Sequence, residues 1–217
     1  MARRFAAPLP ALVVALAVAP VVTFVAGPSA AEEAPADVRA VERAMVPMRL
    51  SVPMGEGGTP YELEGFAYPE PVTVLRDGVP TAAGGADDPF VRFAREMLAA
   101  MLSADVARTL ALWRPDADAE EIALVRGTLG GDMAPRHARE VAGWTAARVY
   151  AVLRRGDHVV VLLERERADG RTATMRYAAT VGPEGPRASY GLVDDPLDGD
   201  LLFATPKDVR DAIDAAR

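Results

Sequence analysis

The residues most capable of chemistry in this sequence are a carboxylate and a phenol in its C-terminal half. Glu164 lies in the stretch HVVVLLERER and Tyr177 in the stretch RTATMRYAATV. If the two stretches form neighbouring strands, the predicted register places Glu164 opposite Met175 and diagonal to Tyr177. A carboxylate held there could act as a base while the phenol stabilises an oxyanion. The alternative is that Glu164 lies at the open end of the sheet and pairs with an arginine.

Other catalytic chemistries have little support in the sequence. The two histidines, His137 and His158, show neither HxH nor HxxxH spacing, and no GxSxG nucleophile motif occurs. The absence of cysteine excludes thiolate nucleophiles and cysteine-based metal centres. Met45, Met48 and Met54 could bind cuprous ion, or they could be flexible core residues. We predict no cofactor and no metal, and we favour a noncatalytic protein over an enzyme.

The tripeptide Arg155-Gly156-Asp157 matches a cell-adhesion motif, but it also has the composition of a tight turn. Glycine reaches backbone angles that other residues avoid, and aspartate is small and polar. The strand-like sequence on both sides favours a two-residue hairpin turn that begins with Gly156. His158 would then lie opposite Arg155 at the solvent-exposed tip. The tripeptide is therefore predicted to be a turn.

Helices are predicted in the middle of the chain. Asp88 is a capping acid, Pro89 suits the first helical position, and apolar residues then recur at helical spacing up to Leu102. Further helices are predicted in ADVARTLALW, in DADAEEIALVRGTLGG and, capped by Thr205, in the C-terminal stretch PKDVRDAIDAAR. The run DMAPRHARE, which contains His137, is predicted to be a loop.

From Trp144 onward the apolar residues alternate, and this period predicts four antiparallel strands. Two-residue turns at Gly156-Asp157 and Asp169-Gly170 would fix their pairing. The face predicted to pack against the helices holds Val149, Ala151, Leu153, Val160, Leu162, Met175, Tyr177 and Ala179. The outer sheet face holds Tyr150, Val152, Val159, Val161 and Leu163. That face is apolar enough to pack against the N-terminal strands or a second subunit.

Residues 1–31 have the features of an export signal. Arg3 and Arg4 precede the apolar stretch ALVVALAVAPVVTFVAG, and the small residues Ser29 and Ala31 follow it. Pro20 interrupts the apolar stretch, which favours cleavage over a retained membrane anchor. The prediction is an exported protein, periplasmic or secreted, with no stable membrane insertion after cleavage.

The charge of the chain argues against two classes of partner. It carries 24 basic and 31 acidic residues, a net charge of −7. Removal of residues 1–31 would take away two arginines and no acid, which leaves 22 basic residues against 31 acidic ones. Such a surface repels nucleic acid and anionic lipid, so neither is a predicted partner.

Two regions are predicted after the signal. Residues 32–87 form an N-terminal extension with short strands and a linker, in which Pro69 and Pro71 favour an edge strand because they lack N–H donors. Residues 88–217 form an α+β domain, in which three helices pack on a curved four-stranded antiparallel meander.

This order of three helices and a curved meander resembles the nuclear transport factor two-like superfamily. The resemblance covers about residues 88–203 and includes SADVARTLALWRPDADAEE between the helices. It implies a cone-shaped α+β fold with a pocket. Members of the superfamily include isomerases, dehydratases, hydrolases and many noncatalytic binding or dimerising domains.

The leading functional prediction is an exported noncatalytic domain that binds a small apolar ligand or a protein partner. One alternative is a cofactor-free isomerase, dehydratase or hydrolase that uses Glu164 and Tyr177 for proton transfer. Another is a structural module that forms a homodimer through the outer sheet face. The tryptophans either anchor the core or line the mouth of the pocket. The predicted ligand-binding residues are Tyr177, Met175, Leu162, Trp113 and Trp144.

Overall fold

A computed structural model of the chain describes residues 35–52, 61–81, 85, 87–189 and 206–215. Within these residues it contains six helices and a seven-stranded antiparallel sheet. The predicted α+β class is confirmed, although three helices on a four-stranded meander account for only part of the fold. The predicted export signal, Met54 and Thr205 lie outside the described residues. Among the helices that are described, none is long and apolar enough to span a membrane.

The sheet combines strands from both ends of the chain. Its order is β1-β2-β4-β5-β6-β7, with β3 paired to β2, so the predicted extension 32–87 contributes to the same sheet as the meander. The strands are β1 (Val46–Val52), β2 (Tyr61–Arg76), β3 (Val79–Pro80), β4 (Trp144–Arg155), β5 (His158–Arg167), β6 (Thr172–Gly182) and β7 (Gly185–Ala188). The helices are α1 (Ala36–Ala44), α2 (Pro89–Leu102), α3 (Val106–Ala111), α4 (Ala119–Gly130), α5 (Ala134–Val141) and α6 (Pro206–Ala215).

Strand β2 lies inside the sheet, which contradicts the predicted edge position. It pairs with β1 on one side and with β4 on the other. Pro69 and Pro71 are tolerated because the pairing with β4 skips from Ala67 to Val72, and β1 ends its pairing opposite Ala67. The two prolines therefore lie where β2 has no ladder partner on either side, so their missing donors leave no hydrogen bond unmade.

The first predicted hairpin turn is confirmed and the second is wrong. Arg155 pairs with His158 across Gly156, which has a φ of 63°. After β5, however, a three-residue loop replaces the expected two-residue turn. Gly170 adopts a φ of 78° and donates its N–H to the carbonyl of Arg167 at 2.8 Å. The additional loop residue moves β6 by one position, so the observed pairs are Val160 with Ala178, Val161 with Tyr177, Leu162 with Arg176, Leu163 with Met175 and Glu164 with Thr174.

A bulge in β4 changes the register of the first hairpin as well. Leu153 faces Val160 and Ala151 faces Leu162, as the predicted turn at Gly156-Asp157 requires, but Val149 faces Leu163, where that turn with regular alternation would place Glu164. Tyr150 is the additional residue between the two sets of pairs. Strand alternation is therefore reset at this point, and the predicted division of the sheet into two faces fails on β4 and β5.

The sheet has an apolar cluster on each side. The cluster on the helix side includes Val149, Val152, Val159, Val161, Leu163, Tyr177, Ala179 and Val181, with Met175 packed against it. The cluster on the outer side consists of Met48, Leu50, Ala67, Tyr150, Ala151, Leu153, Val160, Leu162 and Val209. Val149, Met175, Tyr177 and Ala179 thus face the helices as predicted. Ala151, Leu153, Val160 and Leu162 face the other way, and Val152, Val159, Val161 and Leu163 take their place.

Within a single chain, the outer cluster is already covered. Helix α6 contacts β1, and its Val209 is buried among the outer residues. Tyr150, Leu153 and Leu162 are buried there too. The homodimer hypothesis, which relied on apolar residues exposed on this face, therefore loses that support.

Helix α2 begins and ends where the sequence predicts. Asp88 caps it, because one carboxylate oxygen accepts the N–H groups of Phe90 at 2.8 Å and Val91 at 3.1 Å. The other oxygen accepts the hydroxyl of Tyr68 on β2 at 2.7 Å, which fixes the start of the helix against the sheet. Burial raises the pKa of Asp88, and these hydrogen bonds partly offset that rise.

Helix α5 replaces the predicted loop around His137. Pro135 lies in its first turn, where the missing N–H leaves no helical bond unmade. His137 and Val141, one turn apart, are the buried residues of this helix. A buried histidine next to several charged residues concealed the helical period in the sequence.

Candidate functional site

The structure separates the predicted acid from the predicted phenol. Tyr177 lies opposite Val161 and belongs to the helix-side cluster. Leu162 belongs to the outer cluster, and strand alternation places Glu164 on the same side as Leu162. Glu164 and Tyr177 therefore project from opposite faces of the sheet. The predicted register that placed them on one face is wrong, because the three-residue loop after β5 moves β6 by one position.

A cavity lies between helix α2 and the edge of the sheet formed by β6 and β7. We call it the α2–β6 cavity, and its volume is about 250 Å³. Its lining is mainly apolar and includes two thioethers, one indole and one phenol. The described lining residues are Met97, Met101, Trp113, Arg176, Tyr177, Ala178, Ala188 and Ser189.

Helix α2 brings the two methionines to the cavity. Met97 and Met101 are four residues apart, so they lie on the same side of the helix. The end of the helix is held by α5, where the Nε2 of His137 donates a hydrogen bond to the carbonyl of Met101 at 2.9 Å. This carbonyl is in the last turn, where helical carbonyls lack partners within the helix. His137 is thus a buried structural residue that stabilises one wall of the cavity.

Tyr177 provides a buried hydroxyl at the cavity, which the polar residues Arg176 and Ser189 also line. Its hydroxyl donates a hydrogen bond to the Sδ of Met101 at 3.4 Å. Its ring meets the ring of Phe93 edge to face, with centroids 6.2 Å apart. Burial raises the pKa of Tyr177, and the positive charge of Arg165 opposes that rise only in part. The phenol therefore stays neutral near pH 7 and acts as a hydrogen-bond donor.

Trp113 is positioned by backbone pairing with β7. The Ala188 N–H donates to the carbonyl of Leu112 at 2.8 Å, and the Arg114 N–H donates to the carbonyl of Ala188 at 3.0 Å. This short parallel bridge fixes the segment between α3 and α4 against the edge of the sheet. The buried indole of Trp113 is thereby held at the cavity.

The remaining predicted ligand-binding residues lie elsewhere. Trp144 packs in the helix-side cluster, with the guanidinium carbon of Arg165 4.6 Å from its ring centroid. Arg165 is also paired with Glu140 of α5 at 2.6 Å, so this tryptophan anchors the core. Met175 packs against the helix-side cluster without appearing in the described lining, and Leu162 lies on the outer side.

Sequence reasoning assigned Met97 and Met101 to the apolar side of a helix but not to a site. Their spacing is equally typical of core residues, so nothing local distinguished them. Two predictions together could have found them: the helix that carries both methionines, and the correct register of β6, which places Tyr177 under that helix. The two-residue turn assumed after β5 gave Tyr177 the correct side but Leu162 as its neighbour.

Two larger concavities lie at the other end of the sheet, over β1 and β2. Their volumes are about 520 Å³ and about 440 Å³, and both are lined by Pro47 and Phe66. They are more open than the α2–β6 cavity, and one is crossed by an exposed ion pair of Arg49 with Glu64 at 3.8 Å. A ligand gains more from an enclosed apolar site with converging polar groups, so the smaller cavity is the better candidate.

Among the residues that the structure describes, no three histidine, aspartate or glutamate side chains cluster so as to hold a metal ion. No protein-family model matches the chain, and neither a curated protein nor a solved structure matches it. Its function therefore has to be inferred from the geometry of the described residues.

Proposed function

We propose that this chain is an exported, noncatalytic α+β domain that binds a small apolar ligand in the α2–β6 cavity. The observation that supports this most is the convergence of Met97, Met101, Trp113 and Tyr177 on one partly open cavity. Thioether and aromatic side chains adapt to varied apolar shapes with little loss of contact.

The size and polarity of the cavity restrict the ligand. A volume of about 250 Å³ is slightly below the range of about 300–1,000 Å³ that is usual for drug-sized ligands. The ligand is therefore small, with one acceptor atom for the hydroxyl of Tyr177. That hydroxyl donates its hydrogen bond to the thioether of Met101, which is a weak acceptor. An oxygen atom of the ligand would be a stronger acceptor for the same hydroxyl.

The position of the ionisable groups favours binding over catalysis. Glu164 projects from the other face of the sheet, and no carboxylate or imidazole is present among the described residues that line the cavity. General acid–base catalysis requires such a group within hydrogen-bond distance of the reacting atom.

We further propose a relationship to the nuclear transport factor two-like superfamily. Helices α2 to α4 and the meander β4 to β7 follow the order of elements on which that resemblance was based, and α5 is an additional helix between them. Strands β1 to β3 belong to the same sheet but are not part of that resemblance.

Fluorescence of a single tryptophan tests the binding proposal. In the variant Trp144→Phe, Trp113 is the remaining tryptophan and lies at the cavity. Titration with 1-hexanol is expected to change its emission saturably and to raise the melting temperature, because the ligand binds only the folded state.

A matched pair of substitutions locates the effect. Ala188→Leu fills the cavity and is expected to weaken hexanol binding by about tenfold or more, since the apolar volume is lost. Ala173→Leu, at an exposed position on β6, is expected to leave binding unchanged. Circular dichroism confirms that both variants are folded. An emission that does not saturate in any folded variant, or equal binding by both, would overturn the proposal.

A further inference from the structure

Of the two thioethers in the α2–β6 cavity, Met101 is the more accessible. Met97 is only 6% exposed, whereas Met101 is partly buried at the rim of the helix-side cluster. Both methionines line the cavity. Because Met101 is the more exposed of the two, a small polar oxidant that enters the cavity would reach its Sδ first. Methionine oxidation requires this kind of access to the sulfur.

The structure also contains a hydrogen-bond donor for the oxidised form. Tyr177 already donates its hydroxyl to the Sδ of Met101 at 3.4 Å. A sulfoxide oxygen is a stronger acceptor than a thioether sulfur, so the same hydroxyl could bond to it after a small rotation. His137 holds the Met101 carbonyl at 2.9 Å, and this anchor does not depend on the side chain. Oxidation can therefore occur without loss of the end of α2.

We propose that Met101 is an oxidation site whose sulfoxide lowers the affinity of the α2–β6 cavity for apolar ligands. This inference rests on the proposed function, because it concerns the regulation of the same cavity. The oxidant is hydrogen peroxide, whose O–O bond breaks as an S–O bond forms on Sδ. The thioether is oxidised to a sulfoxide, and the remaining oxygen leaves as water with both peroxide protons.

The loss of affinity follows from the polarity of the product. A sulfoxide oxygen in the cavity opposes an apolar ligand, which would have to displace it from Tyr177 or leave it unpaired. Burial of an unpaired polar group is costly, and we expect oxidation to weaken hexanol binding by about tenfold.

Graded treatment with hydrogen peroxide, followed by peptide mass spectrometry, tests the site. Met133 is the internal control, because it is 45% exposed and does not line the cavity. Met133 is expected to oxidise at the same rate with and without 1-hexanol. Met101 is expected to oxidise before the buried Met45, Met48 and Met97, and hexanol should slow its oxidation.

Two substitutions connect oxidation with affinity. Met101→Leu has no thioether to oxidise at this position, so its affinity for hexanol is expected to be the same before and after peroxide treatment. Met101→Gln, a polar side chain of similar length, is expected to bind as weakly as the oxidised protein. In Tyr177→Phe the sulfoxide would lack its donor, so oxidation should lower the unfolding midpoint more than it does in the parent chain.

The outcomes separate this inference from the proposed function. Unchanged hexanol binding after complete oxidation of Met101, or oxidation of Met101 no faster than that of Met97, would overturn the inference alone. If the reduced protein did not bind hexanol, both the proposed function and the inference would be overturned.

Discussion

At the scale of single residues, Asp88 has two structural roles. It caps α2 through the N–H groups of Phe90 and Val91, and it accepts the hydroxyl of Tyr68. These roles can be separated by substitution, because serine can cap a helix but is too short to replace the second carboxylate oxygen.

We expect Asp88→Ala to lower the free energy of unfolding by about 2–3 kcal/mol, from a lost cap and an unpaired buried hydroxyl. Asp88→Ser should cost less, since it keeps the cap. Urea denaturation measures both, and a double-mutant cycle with Tyr68→Phe should show a coupling of about 1 kcal/mol. Equal losses for the alanine and serine variants would show that Asp88 does not act as a cap.

The buried tyrosines predict how stability depends on pH. Burial is the largest cause of the raised pKa of both Tyr68 and Tyr177. In the unfolded chain these groups lose their protons near pH 10, whereas the folded chain retains them, so stability falls as pH rises above about 10. When the pH is raised from about 9 to about 11, the urea midpoint of Tyr177→Phe should fall less than that of the parent chain. Parallel declines in the two proteins would contradict this assignment.

At the scale of elements, the loop Ala168–Gly170 determines which residues of β5 pair with β6 and therefore share a face with Tyr177. Gly170, in this loop, has a φ of 78°. Gly182, at the far end of β6, has no other residue within 4 Å of an added Cβ. We expect Gly170→Ala to cost about 1–2 kcal/mol in free energy of unfolding, because a Cβ disfavours this left-handed conformation. Gly182→Ala serves as the control, with a change of less than about 0.5 kcal/mol. A similar cost at both positions, measured by urea denaturation, would contradict the loop geometry.

The elements that depend on local signals could be predicted from the sequence, whereas those that depend on packing of the whole sheet could not. Asp88, Pro89 and the turn at Gly156 are local signals, and the elements they predict are confirmed. The dipeptide Asp169-Gly170 fits both a two-residue and a three-residue loop, and only packing of the whole sheet decides between them. The bulge at Tyr150 has no local signal either. Met97 and Met101 have the spacing of ordinary core residues, and only the packing of α2 over β6 brings them to the cavity beside Tyr177.

At the scale of the whole molecule, α6 covers the outer side of the sheet. Its Val209 is 2% exposed, among residues of β1, β4 and β5. The helix is joined to this side by apolar contacts, so its removal would uncover a contiguous apolar surface. Surfaces of this kind promote association between copies.

We expect residues 32–217 to elute as a monomer and residues 32–205 to self-associate. Size-exclusion chromatography with light scattering measures the difference. Asp211→Asn, which removes an exposed charge from α6 and leaves Val209 in place, is the control and should remain monomeric. A monomeric truncated chain would show that α6 does not cover this surface, and a dimeric full chain would restore support for the homodimer hypothesis.

The pairing of β2 with β4 also determines when the sheet can form. Glu64 pairs with Arg154, 90 positions later in the chain. Contacts between such distant residues make folding slow, because a long loop must close before the contacts stabilise it. While β4 is still inside the ribosome, β2 has no central partner, so the complete sheet can assemble only after β4 has emerged.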